Sequence, residues 1–270
     1  MTLANRTVTA PEVVKTPARN LRRENIEERL RQEKQFHDHR FGGDDSERGD
    51  AKKYYIANRA AEQKYYDLIV SLCGDKRLLE YGCGTGKDSV RWMENGAILT
   101  GVDISEEGII KARENVKSTG YSASYYVMNA EDMTFEDETF DVVVGTGILH
   151  HLDLQQCYRE LSRVLDKKGH AIFIEPLGHN PLINVYRRLT PKMRTVDEHP
   201  LFMKDLELMR NYFSRVDVYH FSLLSLVAVP FRNFSFHSSI LTFLEKIDSV
   251  FFKIPGIAKF AWVVVIDAQK

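Results

Sequence analysis

Between Arg77 and Pro176, short apolar stretches alternate with amphipathic ones at a spacing that leaves the chain few ways to fold. "RLLEY" (77–81), "AILTGVDI" (97–104), "SASYYVMN" (122–129), "FDVVVGTG" (140–147) and "HAIFIEP" (170–176) read as buried strands. "KDSVRWMENG", "SEEGIIKARENVKSTG" and "DLQQCYRELSRVL" read as helices, the second opened by Ser105 and closed by Gly120, the third capped by Asp153. Buried strands joined by helices of this length need crossover connections, so the pattern predicts a parallel, doubly wound α/β sheet. Ligands of such sheets bind at the carboxyl ends of the strands, near the switch in strand order. The informative loops are therefore those that follow a strand.

The first of these loops is "LLEYGCGTGKDSV" (78–90), in which an acidic residue precedes glycines on alternate positions. A phosphate-binding loop needs wider glycine spacing and a lysine followed by serine or threonine, whereas Lys87 is followed by Asp88. A dinucleotide fingerprint counted from Gly82 needs its third glycine where Lys87 stands. What remains is Glu80-x-Gly82-x-Gly84-x-Gly86, whose carboxylate repels a pyrophosphate and attracts a cation.

Bulk properties narrow the reading further. The 270 residues, 43% of them hydrophobic, suit one α/β domain with additions. Lysine plus arginine (37) against aspartate plus glutamate (38) leaves a net charge of −1, without the basic surplus that nucleic acid would attract. Cys73, Cys83 and Cys157 form no CxxC pair, which argues against a disulfide framework or a zinc site and fits a reducing, cytoplasmic setting. The N-terminus lacks an apolar signal region, and no apolar run is long enough to span a bilayer.

The loop and the blocks after it resemble the class I S-adenosylmethionine-dependent methyltransferases, in particular their small-molecule, type 11-like branch. The resemblance runs through "LLEYGCGTG", "GVDIS" (101–105), "NAEDMTFEDETFDVVVGTGILHHL" (129–152) and "LSRVLDKKGHAIFIEP" (161–176), about half the chain in the expected order. It implies a Rossmann-like sheet of seven strands, mostly parallel with an antiparallel last strand, and S-adenosylmethionine as cofactor. Gly82, Gly84 and Gly86 then let the backbone approach the methionyl and ribose parts, and Glu80 lies near the methionyl ammonium. Asp103, roughly 17 residues beyond the last glycine, accepts the ribose hydroxyls, with Ile104 beside it. Asn129 stands where the family often has aspartate for the adenine amino group, which its amide oxygen can still accept. The N–H of Ala130 faces the adenine ring, Glu131 follows, and Gly145 and Thr146 end the fourth strand beneath the sulfonium. The turn that the family often writes with proline and paired glycines reads "DKKGHA" here, at the far end of the fifth strand from the ligand.

Methyl transfer by in-line displacement needs mainly alignment of the nucleophile. A hydroxyl or phenol acceptor also benefits from a base, for which His199, His151 and Glu175 are the candidates in that order, with His179 in reserve. Each reads equally well as a loop hydrogen bonder. The pair His150-His151 also invites a metal reading, but no carboxylate accompanies it at matching spacing, so no metal is expected. Cys83 reads as a small buried hydrophobe.

Residues 1–50 are expected to form a disordered tail (1–20) and an exposed helical extension (Leu21–His37) closed by a loop, ahead of a methyltransferase domain over 51–270. "YYIANRAAEQKYYDLIVSL" (54–72) reads as an amphipathic helix, whose Tyr54, Tyr55, Tyr65 and Tyr66 either close the cofactor pocket or pack in the core. Two helical cap insertions, at about 177–202 and 222–258, are expected over the carboxyl edge of the sheet, with a helix (201–213) and a strand (214–221) between them and a last strand in 259–270. Their aromatic content suggests a small organic acceptor with an apolar body, most simply O-methylated on a hydroxyl or phenol. C- or N-methylation of a quinone-like, lipid-like or amine acceptor is the alternative, and a non-catalytic module that keeps the cofactor is the alternative from another class. Nucleic acid is disfavoured by charge and by the lack of an Asn/Asp-Pro-Pro-Tyr/Phe block. Peripheral membrane contact ranks below a small-molecule partner, because 223–256 has no basic face, and stable insertion is not expected.

Overall fold

The computed structural model describes residues 17–43, 56–190 and 199–270, with side chains from residue 26 onward. The expected tail up to residue 16, most of the loop at 44–50, Tyr54, Tyr55 and part of the first insertion lie outside the described residues.

The chain runs α1 (Pro17–Gly42), α2 (Arg59–Val70), β1 (Arg77–Tyr81), α3 (Ser89–Glu94), β2 (Ile98–Asp103), α4 (Glu106–Lys117), β3 (Ser124–Val127) and β4 (Phe140–Thr146). It continues through α5 (Leu154–Val164), β5 (Leu165–Pro176), α6 (Pro181–Leu189), α7 (Met203–Met209), β6 (Arg215–Phe221), α8 (His237–Phe251) and β7 (Val263–Gln269). The strands form one seven-stranded sheet in the order β3-β2-β1-β4-β5-β7-β6. β1 to β5 pair in parallel, and β7 is antiparallel to both its neighbours. The order reverses between β1 and β4, which puts the loops after these two strands side by side at the carboxyl edge.

The two-residue period of the strands divides the core between the two faces of the sheet. Leu79 and Tyr81 of β1, Val143 of β4, and Val264, Ile266 and Ala268 of β7 pack on one face with Cys157, Tyr158 and Leu161 of α5. Leu78, Val142, Val144, Val263 and Val265 pack on the other with Ile69 of α2, Trp92 of α3 and Ile109 of α4. Ser105 caps α4 by accepting from the Gly108 N–H at 3.0 Å, and Asp153 caps α5 by accepting from Gln155 and Gln156 at 3.1 Å.

β5 starts at Leu165, directly after α5, so "DKKG" is strand and not turn. A register shift between Phe140 and Val142 on β4 absorbs the added residues.

The extensions differ most from expectation. α1 begins at Pro17 and runs to Gly42, longer at both ends than the expected helix, and it is not simply exposed. Arg29 donates to both carboxylate oxygens of Glu131 (2.7 and 2.5 Å), Lys34 lies 3.6 Å from Glu106, and Ser105 donates to Asp38 at 2.6 Å. Lys111 donates to the Phe41 carbonyl, and the Phe41 ring lies against Gly84 and Gly108.

The 222–258 segment leaves the carboxyl end of β6, at the rim of the sheet remote from β1. The Asp248 carboxylate accepts the N–H groups of Leu223, Leu224 and Ser225 at 3.0, 2.7 and 3.1 Å. Ser222 donates to the Ala57 carbonyl and the Asn58 side chain, and Arg59 pairs with Glu245 at 2.9 Å. Phe234, Phe236, Phe243 and Val250 are exposed on this segment. No described helix is long and apolar enough to cross a membrane.

Candidate cofactor and acceptor site

A cavity of about 260 Å³ lies at the carboxyl ends of β1, β2 and β4, with α1 across its mouth. Glu80, Gly82, Gly84, Asp103, Ile104, Asn129, Ala130, Gly145, Thr146 and His151 line it, together with Leu30, Glu33, His37, Arg40 and Phe41 of α1. Ten of the fourteen residues expected at the site thus come together, among them one of the three catalytic candidates.

The loop after β1 is bent in a way side chains resist. Gly82 and Gly84 have φ of +73° and +51°, in the left-handed region. A Cβ on Gly82 would lie 2.8 Å from Ile148 Cδ1, and one on Gly84 would lie 3.0 Å from Phe41 Cζ. Gly86 does not line the cavity. A Cβ there would meet Ser89 Oγ, Ala112 and Tyr125 at 3.0–3.2 Å, so this glycine lets the loop pack between α3 and α4.

Two buried carboxyl groups face the cavity. Asp103 accepts the Gly84 N–H at 2.7 Å on one oxygen and the Ser105 N–H at 2.8 Å on the other, which ties the glycine loop to the end of β2. Its pKa is raised by burial, against lowering contributions from those N–H groups and from His37 and Arg40. Burial pushes Glu80 up to about 8, although Ser89 donates a hydrogen bond that favours the ionised form. Acid groups held this way favour a cationic ligand, since a positive charge beside them offsets the cost of ionising them out of water.

Asn129 and Ala130 follow β3. The Asn129 amide oxygen accepts the Glu131 N–H at 3.0 Å, and the Ala130 carbonyl accepts from the Tyr81 hydroxyl at 2.7 Å. Glu131 is not among the cavity-lining residues; it accepts from both Arg29 and the Asp153 N–H (2.7 Å) and so anchors α1. Tyr65 lines the cavity, its hydroxyl pKa raised by burial, while Tyr66 stacks on Trp92. Cys83 is buried, and that burial pushes its thiol pKa up, in keeping with a small hydrophobe.

The catalytic candidates separate. Glu175 is 1% exposed and outside the cavity; its carboxylate accepts the N–H groups of Ile148 and Leu149 at 2.8 Å and pairs with His150 Nδ1 at 2.7 Å. With its oxygens so engaged it holds the loop after β4 in place. His199 is exposed and also outside the cavity; its backbone N–H donates to the His150 carbonyl at 3.2 Å. His179 packs edge-on against Phe202. Only His151 faces the cavity, and its Nδ1 lies 3.3 Å from Glu33 Oε2.

The carboxylates missing from the neighbourhood of His150-His151 in sequence are thus supplied by the fold, Glu175 to one and Glu33 to the other. His37 also reaches Glu33 Oε2 at 3.5 Å. Glu33, His37, Arg40 and Phe41 were not expected at the site. Their one signal in the sequence is the i,i+4 placement of Glu33 and His37, which reads equally well as a solvated helix face. None of the described cavity-lining residues comes from 177–190, 199–202 or 222–258, whereas Leu30, Glu33, His37, Arg40 and Phe41 of α1 line it.

Residues 79–173 match the family described as "Methyltransferase domain". A ubiquinone biosynthesis O-methyltransferase of Coxiella burnetii is 29% identical over 132 residues, 49% of this chain and 56% of that protein. The chain spans about half the length of the curated relatives it matches. Among solved structures, the geranyl diphosphate C-methyltransferase of Streptomyces coelicolor, crystallised with S-adenosyl-L-homocysteine, aligns at a TM-score of 0.56 and 15% identity over 78% of this chain and 79% of that one. The cyclase SpnF aligns at 0.52 and 19% over 77% and 80%. At these identities the structures share the fold.

Proposed function

We propose that the chain, whose residues 79–173 match a methyltransferase-domain family, transfers a methyl group from S-adenosylmethionine to a hydroxyl or phenol of a small apolar molecule, in the cytoplasm. The observation that carries the reading is the pairing of two buried acid groups, Glu80 and Asp103, across a left-handed glycine turn in one cavity. That arrangement suits a ligand bearing both a cationic amino acid end and a ribose.

Glu80 would hold the ammonium, Asp103 the ribose hydroxyls, and Asn129 with Ala130 the adenine edge. The cofactor, when bound, supplies a methyl on a sulfonium, released as its carbon–sulfur bond breaks to leave a neutral thioether. Gly145, Thr146 and Ile148 form the wall beside the reacting end, and Leu30, Phe41 and Leu152 give the remaining space apolar surface. His151 stands where it can take the acceptor's proton as the new carbon–oxygen bond forms. Glu175 acts through the loop it holds and is a positioning residue. α1 excludes water from the cavity.

Titration calorimetry tests the cofactor half of this reading. S-adenosylmethionine and S-adenosylhomocysteine should both bind, and no heat with either overturns it. Asp103→Ala removes the charge-assisted acceptor of the ribose hydroxyls and should weaken binding by at least about 10- to 100-fold, the equivalent of one such bond at roughly 1.5–3 kcal/mol. A labelled-methyl assay against phenolic and quinol acceptors then tests turnover. That assay is the test of reaction type, because the fold is shared with a cyclase.

A further inference from the structure

We propose that Glu33, His37 and His151 form a binding site for one divalent transition-metal cation of the zinc class, with an open coordination position turned into the cavity. One oxygen and two imidazole nitrogens converge there, all within 4.8 Å of one another. Glu33 and His37 are one turn apart on α1, and His151 comes from the loop after β4, across the cavity mouth.

The two distances from Glu33 suit metal ligands better than a shared proton. Glu33 Oε2 lies 3.3 Å from His151 Nδ1 and 3.5 Å from His37 Nε2. Two donors placed about 2.0–2.1 Å from a tetrahedral zinc are separated by about 3.3–3.4 Å. Where imidazoles of this chain do share a proton with a carboxylate, the contact is much closer: 2.7 Å for His150–Glu175 and 2.8 Å for His170–Asp267. His151 Nδ1 is buried and makes no hydrogen bond among the described residues. Glu33 and His151 are each less than a tenth exposed, so water does not readily solvate the corner. A carboxylate with two imidazoles is a donor set for zinc, cobalt or similar ions and not for calcium or magnesium, which prefer oxygen alone.

Three protein donors leave a fourth tetrahedral position, and all three side chains line the same cavity. An oxygen of a bound acceptor can complete the site there. In that arrangement His151 serves as a ligand and not as the base; the cation's charge lowers the pKa of the acceptor hydroxyl, so that the acceptor is held ionised, its proton released to bulk solvent as it binds. This use of the metal rests on the methyl-transfer reading, whereas the binding of the metal does not. Because two donors ride on α1 and one on the domain, the cation would also pin the helix over the cavity.

The test is a titration of the chelator-stripped full chain with cobalt(II), followed by its visible ligand-field absorption, with zinc as competitor. One equivalent should bind with the intense bands of a four- or five-coordinate site, and zinc should displace it. His37→Ala and Glu33→Gln, both on the surface of a helix, should weaken binding by at least about tenfold. His39→Ala, an exposed histidine of the same helix, should not. His151→Ala is a second route to the same loss if either helix variant proves unstable by circular dichroism. Absence of a saturable equivalent, or an affinity in His37→Ala and His151→Ala unchanged from that of the unmodified chain, overturns the proposal. Calorimetry with S-adenosylmethionine on the same preparation separates the two readings: cobalt without cofactor binding overturns the proposed function and leaves the metal site standing, and the reverse overturns only the site.

Discussion

Glu80 illustrates how one side chain carries both recognition and a proton. Held at about 8 by burial, it is largely protonated at neutral pH when no cation is beside it. An ammonium group placed against it favours the carboxylate, so binding should release a proton. Affinity for S-adenosylmethionine should therefore rise as pH increases toward about 8, and fall above it as the ligand's own α-amino group, with an ordinary pKa of about 8, loses its charge. Calorimetry in buffers of different ionisation enthalpy reads this directly; a flat affinity with no buffer dependence would place the cation elsewhere. Asp103 differs because two backbone N–H groups already stabilise its charge. It was legible in the sequence for the same reason, since the end of the second strand is a position the fold fixes.

At the scale of elements, the loops were readable and the helix over them was not. Gly82, Gly84, Asp103 and Asn129 each follow a strand, and the order of strands brings strand ends together whatever else the chain does. α1 reads as an exposed helix because its charges are of both signs at i,i+4 spacing. Yet Arg29 and Asp38 spend theirs on Glu131 and Ser105, and Glu33 turns into the cavity. Those partners lie too far along the sequence for any local pattern to disclose. The insertion at 222–258 is also held by contacts distant in sequence: Asp248, Ser222 and Arg59 fix it at the β6 rim. Asp248→Ala should therefore act on stability. It strands one buried N–H, at roughly 1–3 kcal/mol, and two half-buried ones that water can partly satisfy, and should cost about 2–4 kcal/mol in all. Urea unfolding checks the loss, and cofactor affinity measured well below the transition should stay unchanged.

For the whole molecule, the raised Glu80 sets a slope of stability against pH. The folded chain keeps a proton that the unfolded chain releases between the ordinary value of 4.5 and about 8. Its contribution is therefore full below 4.5 and is lost as pH rises through about 8. Glu80→Gln, which cannot ionise, should flatten that part of the profile of urea midpoints, and saturating cofactor should do the same in the unmodified chain. An unchanged slope in the variant would assign it to other groups.

The anchoring of α1 also bears on how the protein is assembled. Its partners lie 67 residues away at Ser105 and 102 away at Glu131. In a chain made from its N-terminus, the helix is complete before any group that holds it exists, and closing such long loops costs entropy that the sheet must first offset. The element made first thus completes the cavity last. It shares no strand ladder with the sheet, so the wall it gives the cavity rests on side-chain contacts alone and no strand pairing depends on it.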